Sequence, residues 1–209
     1  VTTIILVRHG LTEWNRAGRI QGHSDSALLE EGIEQARSIG PRLAGEAIDV
    51  MLASDLGRAM HTAALIGSTV GVEIVRHPGW RERAFGVAEG LTYQEIERQF
   101  PELFSRLRET DPDFAPPGGE SKSQFHHRVV AALNELAERY AQKRVLVVTH
   151  GGVLAVIYRW LNRLPVASPH KVDIPNVAYN RIALSPEGWR IEVWGDTDHL
   201  PIETDADPL

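Results

Sequence analysis

Four apolar positions run unbroken at Ile4-Ile5-Leu6-Val7, and the chain then turns abruptly polar at Arg8-His9-Gly10. A short, largely β-branched apolar run of this kind predicts a strand buried on both faces. The pattern returns at Arg144–Thr149, where Val-Leu-Val-Val leads into Thr149 and then His150-Gly151-Gly152. These two strand-to-His-Gly junctions are the sequence's one internal echo, since it shows no repeat of fixed period.

Between them the periodicity changes. Ile33, Ala36, Ile39 and Leu43 space an apolar stripe at roughly helical intervals over Leu29–Ala44, and Pro41 predicts a kink or an early break there. Asp49–Ser54 has a strand pattern, with Ser54-Asp55 placed to cap a helix over Leu56–Val70. A second short β-branched segment covers Val72–Val75. From 78 to 119 the pattern loosens into short helices over Thr92–Gln99 and Glu102–Arg108, followed by an irregular Pro- and Gly-rich loop. This stretch is expected to form a cap, or insertion, within one catalytic domain spanning 1–209.

A long helix over Glu120–Ala141 carries Phe125, Val129, Leu133 and Leu136 on one face, and a further helix is predicted over Val153–Leu161. Tyr179–Leu184 and Arg190–Trp194, joined by Ser-Pro-Glu-Gly, predict a β-hairpin. The acidic end, Glu203–Leu209, is expected to be frayed. Strands alternating with helices imply an α/β three-layer sandwich with helices on both faces of a mainly parallel sheet, which the terminal hairpin makes mixed.

Composition narrows the chemistry. The 209 residues suffice for one large domain, and a balance of 22 Lys+Arg against 28 Asp+Glu offers no bulk attraction to nucleic acid or an anionic membrane. An anionic substrate would need local positive charge. The absence of cysteine excludes disulfides, thiolate metal sites and Cys nucleophiles. With no long apolar run or signal-peptide pattern, a soluble cytoplasmic protein is expected. The exposed edge of the hairpin is a surface on which two copies could pair as a homodimer.

In open α/β sheets ligands bind beyond the carboxyl ends of the strands. If the two echoing strands are neighbours, His9 and His150 share one crevice. Arg8 adds a guanidinium fork suited to phosphate oxygens. Arg58, early in a helix after another strand end, can reach the same crevice, and Asn15 is a neutral donor just after His9. His150-Gly151-Gly152 opens a helix, whose N-terminus attracts anions. Gly10 is expected to let the backbone turn sharply towards a ligand. Glu82, among Arg81, Arg83 and Phe85, is the candidate carboxylate, with Glu89 its competitor.

These blocks, in this order, resemble the histidine phosphatase superfamily, also called the phosphoglycerate-mutase-like family. The likeness rests on Arg8-His9-Gly10 with Thr12, Trp14 and Asn15, on Gln21-Gly22 with Asp25, and on Ser54-Asp55-Leu56 with Arg58-Ala59 and Thr62-Ala63. It continues through Arg81-Glu82 with Gly86 and Glu89-Gly90, Pro117-Gly118-Gly119-Glu120-Ser121, and Thr149-His150-Gly151-Gly152. Two departures stand out. Ala27 and Leu29 replace members of the usual Pro-Leu-Thr, which bears on a helix cap, and Ala88 replaces an aromatic residue.

The resemblance implies that His9 becomes phosphohistidine, that Arg8, Arg58 and His150 bind the phosphoryl group with help from Asn15, and that Glu82 is the proton donor. Gln21 and Gly22 either line the substrate mouth or make a turn. Gly151 belongs with the phosphate-binding helix end. To attack, His9 must present a neutral ring nitrogen, so its other nitrogen should donate to a backbone carbonyl.

The expected activity is a metal-independent phosphomonoesterase acting on a small phosphorylated metabolite, with no cofactor. The alternative is a phosphoglycerate mutase dependent on 2,3-bisphosphoglycerate. Gly118 follows Glu82 by only 36 positions, which leaves little room for the larger insertion of such mutases. A different class, a zinc hydrolase using His9, His150 and Glu82 as ligands, is disfavoured because the adjacent arginines would repel a cation. A catalytically dead binding protein finds no support, because every expected catalytic residue is present.

Overall fold

A computed structural model describes residues 1–109, 111–168 and 172–200. The end read as frayed, Glu203–Leu209, lies outside the described residues.

Six strands form one sheet: β1 (Thr2–Arg8), β2 (Val50–Ala53), β3 (Ile74–Arg76), β4 (Arg144–Thr149), β5 (Tyr179–Ser185) and β6 (Gly188–Asp196). Their spatial order is β3-β2-β4-β1-β5-β6. The first four are parallel to one another, β5 runs antiparallel to β1, and β6 runs antiparallel to β5, so the sheet is mixed as its sequence predicts. Helices α1 (Glu13–Arg16), α2 (Glu30–Ser38), α3 (Gly40–Ala44), α4 (Gly57–Val70), α5 (Tyr93–Gln99), α6 (Pro101–Arg108), α7 (Lys122–Arg139) and α8 (Gly151–Leu161) complete the order.

The alternation of strand side chains builds two cores. Ile4 and Leu6 of β1 join Val145 and Val147 of β4 against Phe125, Val129 and Leu133 of α7 and Val153, Leu154 and Ile157 of α8. Ile5 and Val7, with Leu146 and Val148, face the other way onto Ile39, Leu43, Ala59, Ala63 and Ile66. Each central strand is therefore apolar on both faces along its middle, at Ile4–Val7 and at 145–148, because each side has a helical layer to cover. The chain leaves β1 towards one layer and β4 towards the other, which opens a crevice between their carboxyl ends.

The break expected near Pro41 and the altered cap at Leu29 are found, and one expected cap needs correction. The predicted helix over Leu29–Ala44 is two helices broken at Ile39, with Pro41 in the first turn of the second, where its missing N–H costs nothing. Leu29 caps α2 without a side-chain hydrogen bond, the consequence of an apolar residue at that position. Ser54 and Asp55 do not cap α4, because Leu56 is the capping residue and has no cap bond of its own. The carboxylate of Asp25, from a distant loop, accepts from the Arg58 backbone N–H at 3.1 Å instead. α7 begins at Lys122, two residues after the expected start at Glu120, with Ser121 and Gln124 forming a reciprocal capping box.

Segment 78–119 leaves the sheet between β3 and α7 and carries α5 and α6, with a bridge between Phe85 and Gly119 near its ends.

Candidate active site

β1 and β4 are adjacent and in register, Arg8 opposite Thr149, so the next residue of each strand is a histidine at the same edge. The His9 N–H donates to the Thr149 carbonyl at 2.9 Å. The two imidazoles are 5.3 Å apart between ring centroids and both are buried. His9 Nδ1 lies 2.9 Å from the Gly10 carbonyl, which can only accept, so Nδ1 carries the proton and Nε2 is left with its lone pair. Burial pushes His9 well below the ordinary imidazole range, and the neighbouring Arg8 and Arg58 charges add to that against the pull of the Gly10 bond. His150 is likewise held neutral, by burial first and then by Arg58, His9 and Arg8. The site thus presents a neutral, oriented imidazole inside a cationic surround.

Arg8 donates through Nη1 to the Ile174 carbonyl at 2.7 Å. Arg58 is 2% exposed, and its guanidinium is fixed by the carbonyls of Gly22 and Ser24, each at 2.8 Å, and by Asp25 Oδ1 at 2.9 Å. Three buried groups of this cluster have no partner among the described residues: Arg8 Nε, Arg58 Nε and His150 Nδ1. Buried donors left without partners are rare and costly, and an oxyanion is the ligand that satisfies them together.

Other predicted residues take more specific places. Asn15 Oδ1 accepts from the Thr12 N–H and closes a capping box at the start of α1, so that only its Nδ2 amide could serve as the expected donor. Gln21 is buried and accepts from Ser26 Oγ, while Gly22 makes a turn at φ 56° and contributes through its carbonyl to Arg58. Gly151 brings the α8 backbone close to Arg8, whose Nε lies 3.3 Å from where a side chain would begin. The expectation for Gly10 is corrected. Its φ is not in the left-handed region, and the absent side chain instead lets the loop pack on α2, where a Cβ would meet the Gly32 carbonyl at 2.4 Å.

Geometry separates the two candidate carboxylates. Glu82 accepts from the Arg83 N–H at 2.8 Å and from the Gly152 N–H at 2.9 Å, which docks it on the first turn of α8, beside His150. Gly152 is required there, since a Cβ would fall 2.0 Å from Glu82 Oε1. Glu89 is instead a pin for the loop, accepting from the backbones of His23, Ser24 and Phe85 and from Ser24 Oγ. Burial pulls the Glu89 carboxyl up, but these hydrogen bonds outweigh it and hold the group below the usual range. Glu89 is therefore a fixed anion whose lone pairs are engaged.

Several supporting residues were given no role in the site by the sequence. Ser54 Oγ lies 2.7 Å from His150 Nε2 and sets that ring's orientation. Asn176, just before β5, donates to the His9 carbonyl at 2.8 Å. Arg128 of α7 bonds the carbonyls of Gly79, Arg81 and Glu82 and pairs with Glu120, while His23 Nε2 reaches the Glu82 carbonyl at 2.9 Å. Arg128 lies eight positions after its partner Glu120, and its other targets are backbone carbonyls that a sequence does not display. Among the described residues no group of three or more His, Cys, Asp or Glu side chains is placed to hold a metal ion. No described helix is long and apolar enough to cross a membrane.

Comparison with known proteins agrees with this geometry. Residues 4–197 match the family model of the histidine phosphatase superfamily, branch 1. A metal-independent phosphoserine phosphatase of Arabidopsis thaliana is 40% identical over 203 residues, covering 96% of this chain and 84% of the relative. A probable phosphoglycerate mutase of Erwinia tasmaniensis is 35% identical, covering 94% of each chain. The solved structure of a mycobacterial glucosyl-3-phosphoglycerate phosphatase superposes with a TM-score of 0.82 at 29% identity, over 94% of this chain and all of the other. The chain belongs to branch 1 of the histidine phosphatase superfamily.

Proposed function

We propose that the protein is a metal-independent phosphomonoesterase that hydrolyses a small phosphate ester through a phosphohistidine at His9. The observation that carries this reading is the neutral His9, its Nδ1 proton fixed on Gly10 and its Nε2 left with its lone pair, beside buried Arg8, Arg58 and His150 groups that lack partners among the described residues. Phosphoryl transfer asks for positioning and charge stabilisation more than covalent assistance, and fixed guanidinium and imidazole donors provide both without a metal.

In the first step a bond forms between His9 Nε2 and phosphorus, the ester P–O bond breaks, and the departing oxygen takes the proton of Glu82. In the second step Glu82 takes a proton from water as its oxygen attacks phosphorus, the N–P bond breaks, and inorganic phosphate and neutral His9 are released. The hydrogen bonds at 2.8 and 2.9 Å keep Glu82 in one place for both proton transfers. The phosphatase relative at 40% identity supports hydrolysis over return of the phosphoryl group to a second substrate.

The test is incubation with p-nitrophenyl phosphate and with 3-phosphoglycerate, chelator present, measuring free phosphate and 2-phosphoglycerate. Free phosphate without 2-phosphoglycerate, lost in His9→Ala, is expected. 2-Phosphoglycerate formed only with added 2,3-bisphosphoglycerate would make the protein a mutase instead, and loss of activity to the chelator would overturn the mechanism.

A further inference from the structure

The turn that leads into β5 holds a backbone conformation its sequence does not favour. Among the described residues Ala47, Gln142, Arg163 and Val177 have a positive φ without being glycine. The first three are exposed, whereas Val177, at φ 56°, is fully buried and is the only β-branched one. A β-branched residue in the left-handed region is strained, and such strain persists only where the surroundings over-determine it. Both backbone groups of Val177 are engaged: its N–H donates to the Arg8 carbonyl at 3.1 Å, and its carbonyl accepts from His199 Nε2 at 3.0 Å. The same turn grips the end of β1 at two more points. The Ile174 carbonyl accepts from Arg8 Nη1 at 2.7 Å, and the Asn176 side chain donates to the His9 carbonyl at 2.8 Å. From the other side β4 holds the His9 N–H through the Thr149 carbonyl, so Arg8 and His9 are clamped between β4 and residues 174–177.

His199 reaches this turn from beyond β6, on a segment that is itself fixed. Asp196 pairs through both oxygens with Arg42, at 2.7 Å each, and accepts from the Asp198 N–H at 3.0 Å. The Val177 carbonyl can only accept, so His199 Nε2 carries the ring proton, while Nδ1 is buried with no partner among the described residues. We propose that residues 174–177 are a strained strap that sets the pose of Arg8 and His9, and that His199 is the positioning residue that holds the strap in place. Without its bond the buried Val177 carbonyl loses its donor, φ at 177 relaxes, and the Ile174 and Asn176 contacts shift with it. The strap acts on the groups that meet the phosphoryl group and not on Glu82, and the proposal rests on the phosphatase reading for what Arg8 and His9 do.

Two measurements test it. Calorimetric binding of orthovanadate reads the pose of Arg8 and His9 without turnover, and kcat/KM on p-nitrophenyl phosphate and glycerol 3-phosphate reads it with turnover. His199→Leu removes the donor, and both vanadate affinity and kcat/KM are expected to fall roughly tenfold, by the same factor for the aryl and the alkyl ester. His199→Gln, whose amide nitrogen can stand where Nε2 stands, is expected to recover most of that loss. A role in stability alone would lower the melting temperature of His199→Leu and leave vanadate affinity and KM at their wild-type values. That result would overturn the strap, as would a loss confined to glycerol 3-phosphate. If His199→Leu does not fold, Asn176→Ala decides the question from the other end of the strap: a loss of vanadate affinity is expected, and wild-type affinity would overturn the proposal. Absence of p-nitrophenyl phosphate hydrolysis by the wild type would remove the phosphatase reading, and the strap then stands or falls on the vanadate affinities.

Discussion

Gly152→Ala is the sharpest perturbation the site offers. The added Cβ would stand 2.0 Å from Glu82 Oε1 and 2.8 Å from its Cδ, whereas ordinary contact begins near 3.4 Å. The carboxyl must therefore retreat by roughly 1.4 Å. It cannot do so and keep both the Arg83 and the Gly152 N–H bonds. A misplacement of about 1 Å costs on the order of 100-fold where geometry is part of the catalysis, and a lost general acid costs about 10²–10⁴-fold. The effect should also depend on the leaving group. Glycerol 3-phosphate, whose alkoxide needs a proton, should lose about 100-fold in kcat/KM, which reports the phosphorylation of His9 and not the later hydrolysis common to both esters. p-Nitrophenyl phosphate, whose phenolate departs unaided, should lose only a few-fold. Steady-state kinetics on both substrates, with a melting curve for the variant, measure this directly. Equal losses of kcat/KM on the two substrates in a folded variant, or no loss on either, would refute the assignment of Glu82 as the acid and of Gly152 as the residue that makes room for it.

Three further outcomes follow from the same geometry. Ser54→Ala removes the 2.7 Å bond to His150 and should lower kcat/KM roughly fivefold, equivalent to a net hydrogen bond of about 1 kcal/mol, without a change in leaving-group dependence. Glu89→Gln should lower the melting temperature, since a carboxylate accepting four hydrogen bonds is replaced by one acceptor and two donors, yet its ratio of alkyl to aryl ester hydrolysis should match the wild type, whereas Glu82→Gln should lower that ratio. Stability should fall as pH drops below the ordinary histidine value of 6.5, because the unfolded chain then takes up protons that folded His9 and His150 refuse; their contribution is complete above that pH and is lost towards the lower folded values. Denaturant midpoints between pH 7.5 and 5 measure this, and His9→Ala should flatten the dependence.

The sequence by itself determined the layers of the sheet and the chemistry at its edge. Uninterrupted apolar runs at Ile4–Val7 and Val145–Val148 can only be satisfied by strands with a helical layer on each side, and that local pattern survives folding unchanged. His9, His150, Arg8 and Arg58 were legible because strand ends are where an α/β sheet exposes its residues to ligand, whatever the loops do. What the tertiary structure alone decided lies in contacts between backbone and distant side chains. The choice of Glu82 over Glu89 turns on which carboxylate meets the N–H groups of α8 and which meets those of residues 23, 24 and 85, and both look alike in sequence. Asp25 caps α4 across 33 positions, and Ser54, adjacent to that helix in sequence, is turned towards His150 instead. Capping rules work within a turn of the chain, but in this site the partners are brought together by packing, so the hydrogen-bond accounting closes only in three dimensions.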